Sequence, residues 1–259
     1  MCLIALAYKV HPAYPLIVAA NRDEFLDRRA TAAEFWPDAP HVLAGKDLKA
    51  GGTWMGVTRS GRFAALTNYR DLRRARIDGP SHGQLVLKAL EGGLDGIDTR
   101  GYEGFNLVHG TVEALRYCNN IDGADQELAP GVHGLSNAVL DTPWPKVACA
   151  KTRLQQWIDA GTAATEPLFE LLLDDTQAVD DALPDTGVGL EWERALSSIL
   201  IRTEGYGTRC STVVTVDREG RVNLEERSLQ EPTVVRHAFT IEGSEKIFTG
   251  PQHIRNAQR

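Results

Sequence analysis

Residue 2 of this chain is a cysteine that directly follows the initiator Met1. Because cysteine is small, ordinary removal of an initiator methionine is expected to leave Cys2 as the mature N-terminus. An α-amine titrates near pH ~8 and a thiol near ~8.5, so the amine of such a residue can take the proton of its own thiol. The sequence therefore predicts a nucleophile that carries its own base. The alternative is a small apolar residue that opens a buried strand.

A cluster of polar and charged residues follows the second apolar run of the chain and reads Asn21, Arg22, Asp23, Glu24. If the first two runs form a hairpin, the start of the first strand lies beside the end of the second, and Cys2 lies beside this cluster. Side chains alternate along a strand, so either Asn21 and Asp23 or Arg22 and Glu24 share a face with Cys2. The alternative interpretation of the cluster is a solvated strand end.

Arginines elsewhere in the chain are candidates for the same site. Arg209, just before Cys210 and another apolar run, is a candidate for a second positive charge near the thiol. A local basic cluster follows Asn68, and if Asn68 lies at a site this cluster would receive a carboxylate or phosphate of a substrate. Its members are Arg70, Arg73, Arg74 and Arg76. For all of these residues the alternative is an arginine that is simply solvated.

The spacing of the remaining reactive groups predicts neither a cofactor nor a metal ion. The cysteines lack C-x-x-C spacing and the histidines lack H-x-x-x-H spacing, so no disulfide framework and no zinc site is indicated. Residues 45–53 lack the order of a phosphate-binding loop. Four histidines are too dispersed to form a ligand set and are interpreted as structural; they are His41, His82, His109 and His237.

Strands at both ends of the chain, with helices between them, must position these residues. Apolar runs and turn residues predict strands over 2–8, 14–20, 53–58, 62–69, 105–109, 113–118, 211–216 and 221–225, with 2–8 antiparallel to 15–21. The pattern S-x-x-Q predicts a helix that begins near Ser81, and helical spacing or a proline near the first turn predicts helices within 143–159 and 165–173. This order indicates an α+β fold in which the first and last strands meet in one sheet.

The composition is that of a globular protein. Of 259 residues, 42% are hydrophobic and 24% are charged, which excludes wholesale disorder. A net charge of −7 argues against nucleic acid as a partner. No stretch approaches the ~20 apolar residues of a membrane span and no signal peptide is recognisable, so a cytoplasmic location is expected. No linker divides the chain, and a single domain over 1–259 is expected.

Several of these motifs together resemble the NRDE family, also called the transport and Golgi organisation protein 2 family. They are Cys2, Asn21–Glu24, Gly51–Trp54, Leu66–Arg70, and Gly134–Asn137 followed by Trp144. More distantly, this family resembles N-terminal-nucleophile hydrolases of the choloylglycine hydrolase and penicillin V acylase type. The resemblance implies their fold, which is a four-layer α-β-β-α sandwich.

The hydrolase resemblance implies roles for individual residues. Cys2 matches the nucleophile, and Asp23 matches, through the pattern N-x-D, an aspartate that hydrogen-bonds the amine. Those enzymes carry an arginine three positions before that aspartate, where this chain has Ala20, and Arg22 would have to substitute for it. Asn137 matches an asparagine of the oxyanion hole, and Asn68 matches another active-site asparagine that follows a strand. The alternative for each is a turn asparagine that binds its own backbone.

The resemblance leaves two functions open. The first is an N-terminal cysteine hydrolase or acyltransferase that acts on a carbon–nitrogen amide bond of a small or acyl-lipid substrate, with an anionic group if the basic cluster lies at the site. The second is a non-catalytic haem or lipid binding and trafficking protein on the same scaffold, since relatives are associated with Golgi organisation, lipid homeostasis and haem trafficking. Cys2 is then the residue with a positional argument for a haem ligand.

Overall fold

Two antiparallel β-sheets form the centre of the fold. The computed structural model describes residues 2–243, so Met1, whose removal is predicted above, lies outside the described residues. The strands are β1 (Cys2–Tyr8), β2 (Leu16–Phe25), β3 (Glu34–Trp36), β4 (Ala39–Ala44), β5 (Met55–Thr58), β6 (Arg62–Asn68), β7 (Phe105–Thr111), β8 (Ala114–Asn119), β9 (Asp125–Glu127), β10 (Gly131–Leu135), β11 (Tyr206–Val216), β12 (Arg221–Ser228) and β13 (Val234–Thr240). The α-helices are α1 (His82–Glu91), α2 (Pro145–Asp159), α3 (Glu166–Leu172) and α4 (Leu190–Ala195).

The first sheet contains both ends of the described chain, in the order β10-β1-β2-β11-β12-β13. The predicted pairing of the first two runs is confirmed, with Cys2 opposite Arg22 and Tyr8 opposite Leu16. The predicted end of the second strand is wrong, because β2 continues to Phe25, which lies opposite Tyr206 of β11. β11 pairs with the whole polar cluster 21–24, and β1 pairs with Asn21 and Arg22, so the cluster lies inside the strand and is not a solvated strand end.

The second sheet has the order β3-β4-β5-β6-β7-β8-β9. The predicted hairpins β5–β6 and β7–β8 are confirmed. Two of the strands that the sequence does not predict are polar or exposed: every residue of β9 is exposed, and β13 alternates between exposed and half-buried residues. Such strands lack the apolar signal on which sequence prediction depends.

Helices cover the outer face of each sheet, which gives the four layers α-β-β-α. Ile4, Leu6 and Val18 belong to the core between the sheets, where they pack with residues of the second sheet such as Phe63. Their neighbours along the strands face α2 and α3; Leu3, for example, packs in the same cluster as Leu154 and Phe169. The outer face of the second sheet packs on α1. Because both faces are covered, the first strands are apolar throughout.

The start of α1 approaches the Gly51–Trp54 motif closely. Ser81 caps this helix, and its Oγ accepts a hydrogen bond from the Gly83 backbone N–H. A Cβ atom on Gly52 would lie only 2.3 Å from the Gly83 carbonyl carbon. Glycine at position 52 therefore permits this backbone contact. No helix within residues 2–243 is long and apolar enough to cross a membrane.

Asp141 fixes the loop between β10 and α2. Its φ is 60°, a left-handed conformation that asparagine and aspartate tolerate better than other side chains. The carboxylate accepts hydrogen bonds from the Gly134 backbone N–H at 2.9 Å and from Lys151 Nζ at 2.5 Å, and it lies 2.7 Å from Nδ1 of His133. The loop so held carries Asn137.

Replacing Asp141 by asparagine is expected to lower the free energy of unfolding at pH 7 by about 1–2 kcal/mol. Burial raises the pKa of Asp141, but hydrogen bonds from His133, Lys151 and Gly134 outweigh it and hold the pKa at about 2. This pKa lies below the unfolded value, so the stabilisation is present above pH ~4 and is lost as the pH falls towards 2. Chemical denaturation at pH 7 and pH 2 measures the difference, and equal stabilities at pH 7 would refute the argument.

Candidate functional site

Cys2 is the first residue of β1 and opens on a cleft of about 950 Å³. The cleft is lined from both sheets, for example by Cys2 and Arg22 of the first sheet and by Leu66 and Asn68 of the second. The thiol is nearly covered, since only 7% of the residue is exposed. Burial, and to a smaller extent the negative charge of Asp23, raise the pKa of the Cys2 thiol, whereas a hydrogen bond from the Asp23 backbone N–H and the charge of Arg22 act in the opposite direction.

Arg22 shares the cleft face of the first sheet with Cys2. It lies directly opposite Cys2 on β1 and, on its other edge, opposite Cys210 on β11. Residues that are directly opposite in neighbouring antiparallel strands point to the same side of the sheet. The three side chains therefore form one row across the sheet, with Arg22 between the two cysteines. This decides the alternation that the sequence left open, since Arg22 takes the face of Cys2.

Asp23 lies on the opposite, helix-facing side of the same sheet, next to the start of β1. It is 1% exposed, and its Oδ1 accepts a hydrogen bond of 2.7 Å from Thr208 Oγ1. Asn21 also faces the helices, where its Nδ2 donates to the carbonyl oxygens of Leu172 and Ile199. Asn21 therefore fastens α3 to the sheet, while Asp23 lies within the electrostatic reach of Cys2.

A β-bulge brings Arg209 into the cleft. Thr208 pairs with Asp23 and Cys210 pairs with Arg22, so Arg209 is the extra residue of β11 between them. Its Nη1 donates to the carbonyl oxygens of Phe25 at 3.1 Å and Leu26 at 2.7 Å. Arg209 lines the same cleft as Cys2, but its guanidinium group binds the end of β2.

Asn68 and Asn137 are joined to each other. Asn68 lines the cleft, whereas Asn137 is fully buried and its Nδ2 donates to the Asn68 carbonyl oxygen at 2.9 Å. The neighbouring Ser136 Oγ donates to the Cys2 carbonyl oxygen at 3.1 Å. The buried Asn137 amide therefore holds the Asn68 backbone. This bond uses one of the two N–H groups of the amide, so the role of Asn137 in the oxyanion hole stays a prediction.

Most of the basic cluster after Asn68 does not line the cleft. Arg70 is buried, its Nη2 lies 2.9 Å from Glu193 Oε2, and its guanidinium group lies 4.9 Å from the centre of the Trp144 ring. Arg76 does line the cleft, and its Nε lies 3.7 Å from Glu103 Oε1. Of these two arginines, Arg76 therefore lies at the predicted place. The expectation is wrong for Arg70, whose charge is neutralised inside the protein by Glu193.

The sequence matches the family model for Transport and Golgi organisation 2 over residues 1–231. The chain belongs to this family. It is 36% identical to the Bos taurus Transport and Golgi organization protein 2 homolog, over 93% of this chain and 100% of that protein. The Homo sapiens homolog is 33% identical, over 89% of this chain and 94% of that protein.

Among solved structures, a mutant of the conjugated bile acid hydrolase from Clostridium perfringens has a TM-score of 0.52 at 9% identity, over 92% of each chain. At that identity the likeness concerns the fold alone. This member of the Transport and Golgi organisation 2 family therefore has the fold of N-terminal-nucleophile hydrolases, with the expected four-layer sandwich.

His82 is a cleft residue that the sequence analysis interprets as structural. Its Nδ1 lies 2.9 Å from Oδ1 of Asn68, and its Nε2 lies 2.9 Å from the Glu103 carbonyl oxygen. Burial lowers the pKa of His82, although the hydrogen bond with the Glu103 carbonyl oxygen acts in the opposite direction. The ring thus holds the side chain of Asn68 at the cleft wall. No pattern in the sequence connects positions 68 and 82, because the contact depends on how α1 packs on the second sheet.

Lys146 is a second residue near Cys2 that the sequence analysis does not single out. It stands in the first turn of α2 and is 3% exposed, and its Nζ has no hydrogen-bond partner within residues 2–243. Burial lowers the pKa of Lys146 to about 8, while the charge of Asp23 acts in the opposite direction. The described part of the chain holds no group of three or more His, Cys, Asp or Glu side chains arranged to bind a metal ion.

Proposed function

We propose that the protein is an N-terminal cysteine hydrolase or acyltransferase that acts on a carbon–nitrogen amide bond, with Cys2 as the nucleophile. The observation that carries this proposal is the position of Cys2 at the start of β1, on the wall of a cleft of about 950 Å³, with Arg22 directly opposite it. The shared fold supports a hydrolase-like scaffold. Because one fold can serve many functions, the argument depends on the site itself.

The proposed reaction begins when the α-amine of Cys2 takes the proton from its own thiol. The thiolate attacks the carbonyl carbon of the amide, and the amine then gives the proton to the leaving nitrogen as the carbon–nitrogen bond breaks. A thioester between the acyl group and Cys2 remains. Water, or an acceptor amine in a transferase, attacks this thioester and loses a proton to the α-amine, which releases the product and restores the thiol.

Charged and polar neighbours have assigned roles in this mechanism. The positive charge of Arg22 favours the thiolate against the cost of burial. Asp23 accepts a hydrogen bond from the α-amine and so orients it. Asn68, held by Asn137 and His82, supplies an amide donor for the oxygen of the tetrahedral intermediate.

The cleft supports a substrate that is small or acyl-lipid in size and carries an anionic group. A volume of about 950 Å³ is within the range of small-molecule sites. Arg76 lies at the cleft, and 95% of its side chain is exposed, so it is open to a carboxylate or phosphate.

Intact mass spectrometry tests this proposal. Protein made in cells is expected to lack Met1, and a thiol-directed acyl probe is expected to add a single acyl group at Cys2. A matched control carries a lysine inserted between Met1 and Cys2, which prevents removal of the methionine and should abolish acylation. Intact Met1 in an active preparation would refute the N-terminal nucleophile.

The same measurement distinguishes an enzyme from the alternative, a non-catalytic carrier of haem or lipid. If a broad panel of amides, esters and thioesters leaves Cys2 unlabelled while haem or an acyl lipid binds saturably, the protein is a binding protein on this scaffold. Binding by such a carrier should survive replacement of Asn137, which an acyl-transfer mechanism does not tolerate.

A further inference from the structure

Lys146 is a buried ammonium group in the candidate site. It is 3% exposed, and its Nζ has no hydrogen-bond partner in the described part of the chain. Removing an ammonium group from water without hydrogen-bond acceptors is strongly unfavourable, so a lysine in this position needs neighbouring charges that offset the cost. A buried ionisable group of this kind, next to a reactive side chain, is a candidate for a functional role.

The charges around Lys146 come from several elements. Cys2 faces it from β1, Asp23 from β2, Arg70 from the segment after β6, and Glu193 from α4. Arg70 and Glu193 form an ion pair of 2.9 Å with each other, so their charges largely cancel. Asp23 is then the anion that Lys146 itself balances.

Asp23 depends on this positive charge. Burial raises the pKa of Asp23, and Lys146 is the charged side chain that opposes this rise most, together with the hydrogen bond from Thr208. Tyr206 of β11 also faces Asp23, but burial raises the pKa of the Tyr206 hydroxyl, so this neighbour stays neutral. Without Lys146 the protonated form of the buried carboxyl group has a lower free energy than the charged form.

We propose that Lys146 is a positioning residue, whose ammonium group keeps Asp23 charged so that this carboxylate can hold the α-amine of Cys2. The inference rests on the proposed function, because only the N-terminal nucleophile needs an oriented amine. The placement of α2 supports it, since this helix packs on β1 and brings Lys146 to the helix-facing side of the sheet, where Asp23 lies. Loss of the ammonium group makes Asp23 neutral, so the α-amine loses its carboxylate acceptor and holds its proton less tightly. The Cys2 thiolate then loses the positive charge of that amine. This loss outweighs removal of the Asp23 charge, which by itself raises the pKa of the thiol, because the amine belongs to the same residue and lies nearer.

The test measures the reactivity of Cys2 without any amide substrate. Protein that lacks Met1 is alkylated with iodoacetamide between pH 5 and 10, and peptide mapping follows Cys2 separately from the other cysteines. Lys146→Met keeps the size of the side chain and removes its charge. We expect alkylation of Cys2 at pH 7 to be about tenfold slower, and the midpoint of its pH profile to rise by about one unit.

Two further variants separate the charge from the packing. Lys146→Arg keeps the charge and should recover most of the rate. Lys151→Met removes a lysine from the same helix, where it pairs with Asp141 at 2.5 Å, and should leave the midpoint for Cys2 unchanged. An unchanged midpoint in Lys146→Met, or an equal shift in Lys151→Met, would overturn the proposal.

A double variant decides the matter if Lys146→Met does not fold. Asp23→Asn combined with Lys146→Met removes both buried charges and should fold, with Cys2 as reactive as in Asp23→Asn alone. A double variant that is unfolded, or slower than Asp23→Asn, would show that Lys146 matters apart from Asp23. Amide turnover by the unaltered protein is measured separately. If there is no turnover but Lys146→Met raises the midpoint for Cys2 as expected, the proposed enzymatic function is refuted and the electrostatic role of Lys146 is kept.

Discussion

Replacing Cys2 by serine is expected to reduce acylation of the protein by at least about 10³-fold while the fold is kept. Serine preserves the α-amine and nearly the size of the side chain, but its hydroxyl has a far higher pKa than a thiol. The amine of residue 2 can therefore no longer generate the attacking anion. Intact mass spectrometry after incubation with an acyl probe measures the loss, and circular dichroism monitors the fold.

A second cysteine provides the control for this experiment. Cys149 lies half-buried on α2, with its Sγ 4.0 Å from Asp174 Oδ2. Cys149→Ser should leave acylation at Cys2 unchanged, because burial raises the pKa of the Cys149 thiol and Cys149 does not line the cleft. Equal labelling of Cys2→Ser and the unaltered protein would rule out Cys2 as the nucleophile.

Replacing Asn68 by alanine is expected to slow acylation by about 10²-fold, which is the usual effect of losing one oxyanion donor. The folded state should be almost as stable as before, since Asn68 is exposed. Asn137→Ala should slow acylation as well, but through the backbone of Asn68, to which its Nδ2 donates at 2.9 Å. It should also destabilise the fold by about 1–3 kcal/mol, because it leaves buried groups without partners.

The two asparagine variants are distinguished by measuring both quantities. Acylation rates come from mass spectrometry and free energies of unfolding from chemical denaturation, with Asn223→Ala on the exposed side of β12 as a control that should alter neither. If Asn68→Ala reacted as fast as the unaltered protein, the oxyanion donor would have to be another group. If Asn137→Ala were slow and fully stable, its role would be direct.

The sequence alone was sufficient to predict the neighbourhood of Cys2 and the polar cluster that begins at Asn21. Both belong to one hairpin whose strands are joined by residues 9–15, so they are neighbours along the chain, and the apolar runs mark the two strands. Strand alternation then limits the choice to two faces. The motif around Asn137 and the glycines before Trp54 likewise indicated the family, and with it the four-layer fold.

Other features depended on pairing between distant segments. The end of β2 is ordered by β11, so that Arg22 lies opposite Cys210, which is remote in the sequence. The bulge at Arg209 and the buried ion pair of Arg70 with Glu193 arise in the same way. The sequence does not distinguish an arginine that is solvated by water from one that folding pairs with a carboxylate.

Lys146 and His82 show most clearly what only the tertiary structure decided. Each stands in the first turn of a helix, where the sequence predicts the helix but not which side chains it brings to the site. The packing of α2 on the first sheet places the Lys146 ammonium group near Asp23, and the packing of α1 on the second sheet places His82 against Asn68. The chemical environment of a side chain is set by neighbours that are distant along the chain, because burial and charge act through space and leave no local pattern in the sequence.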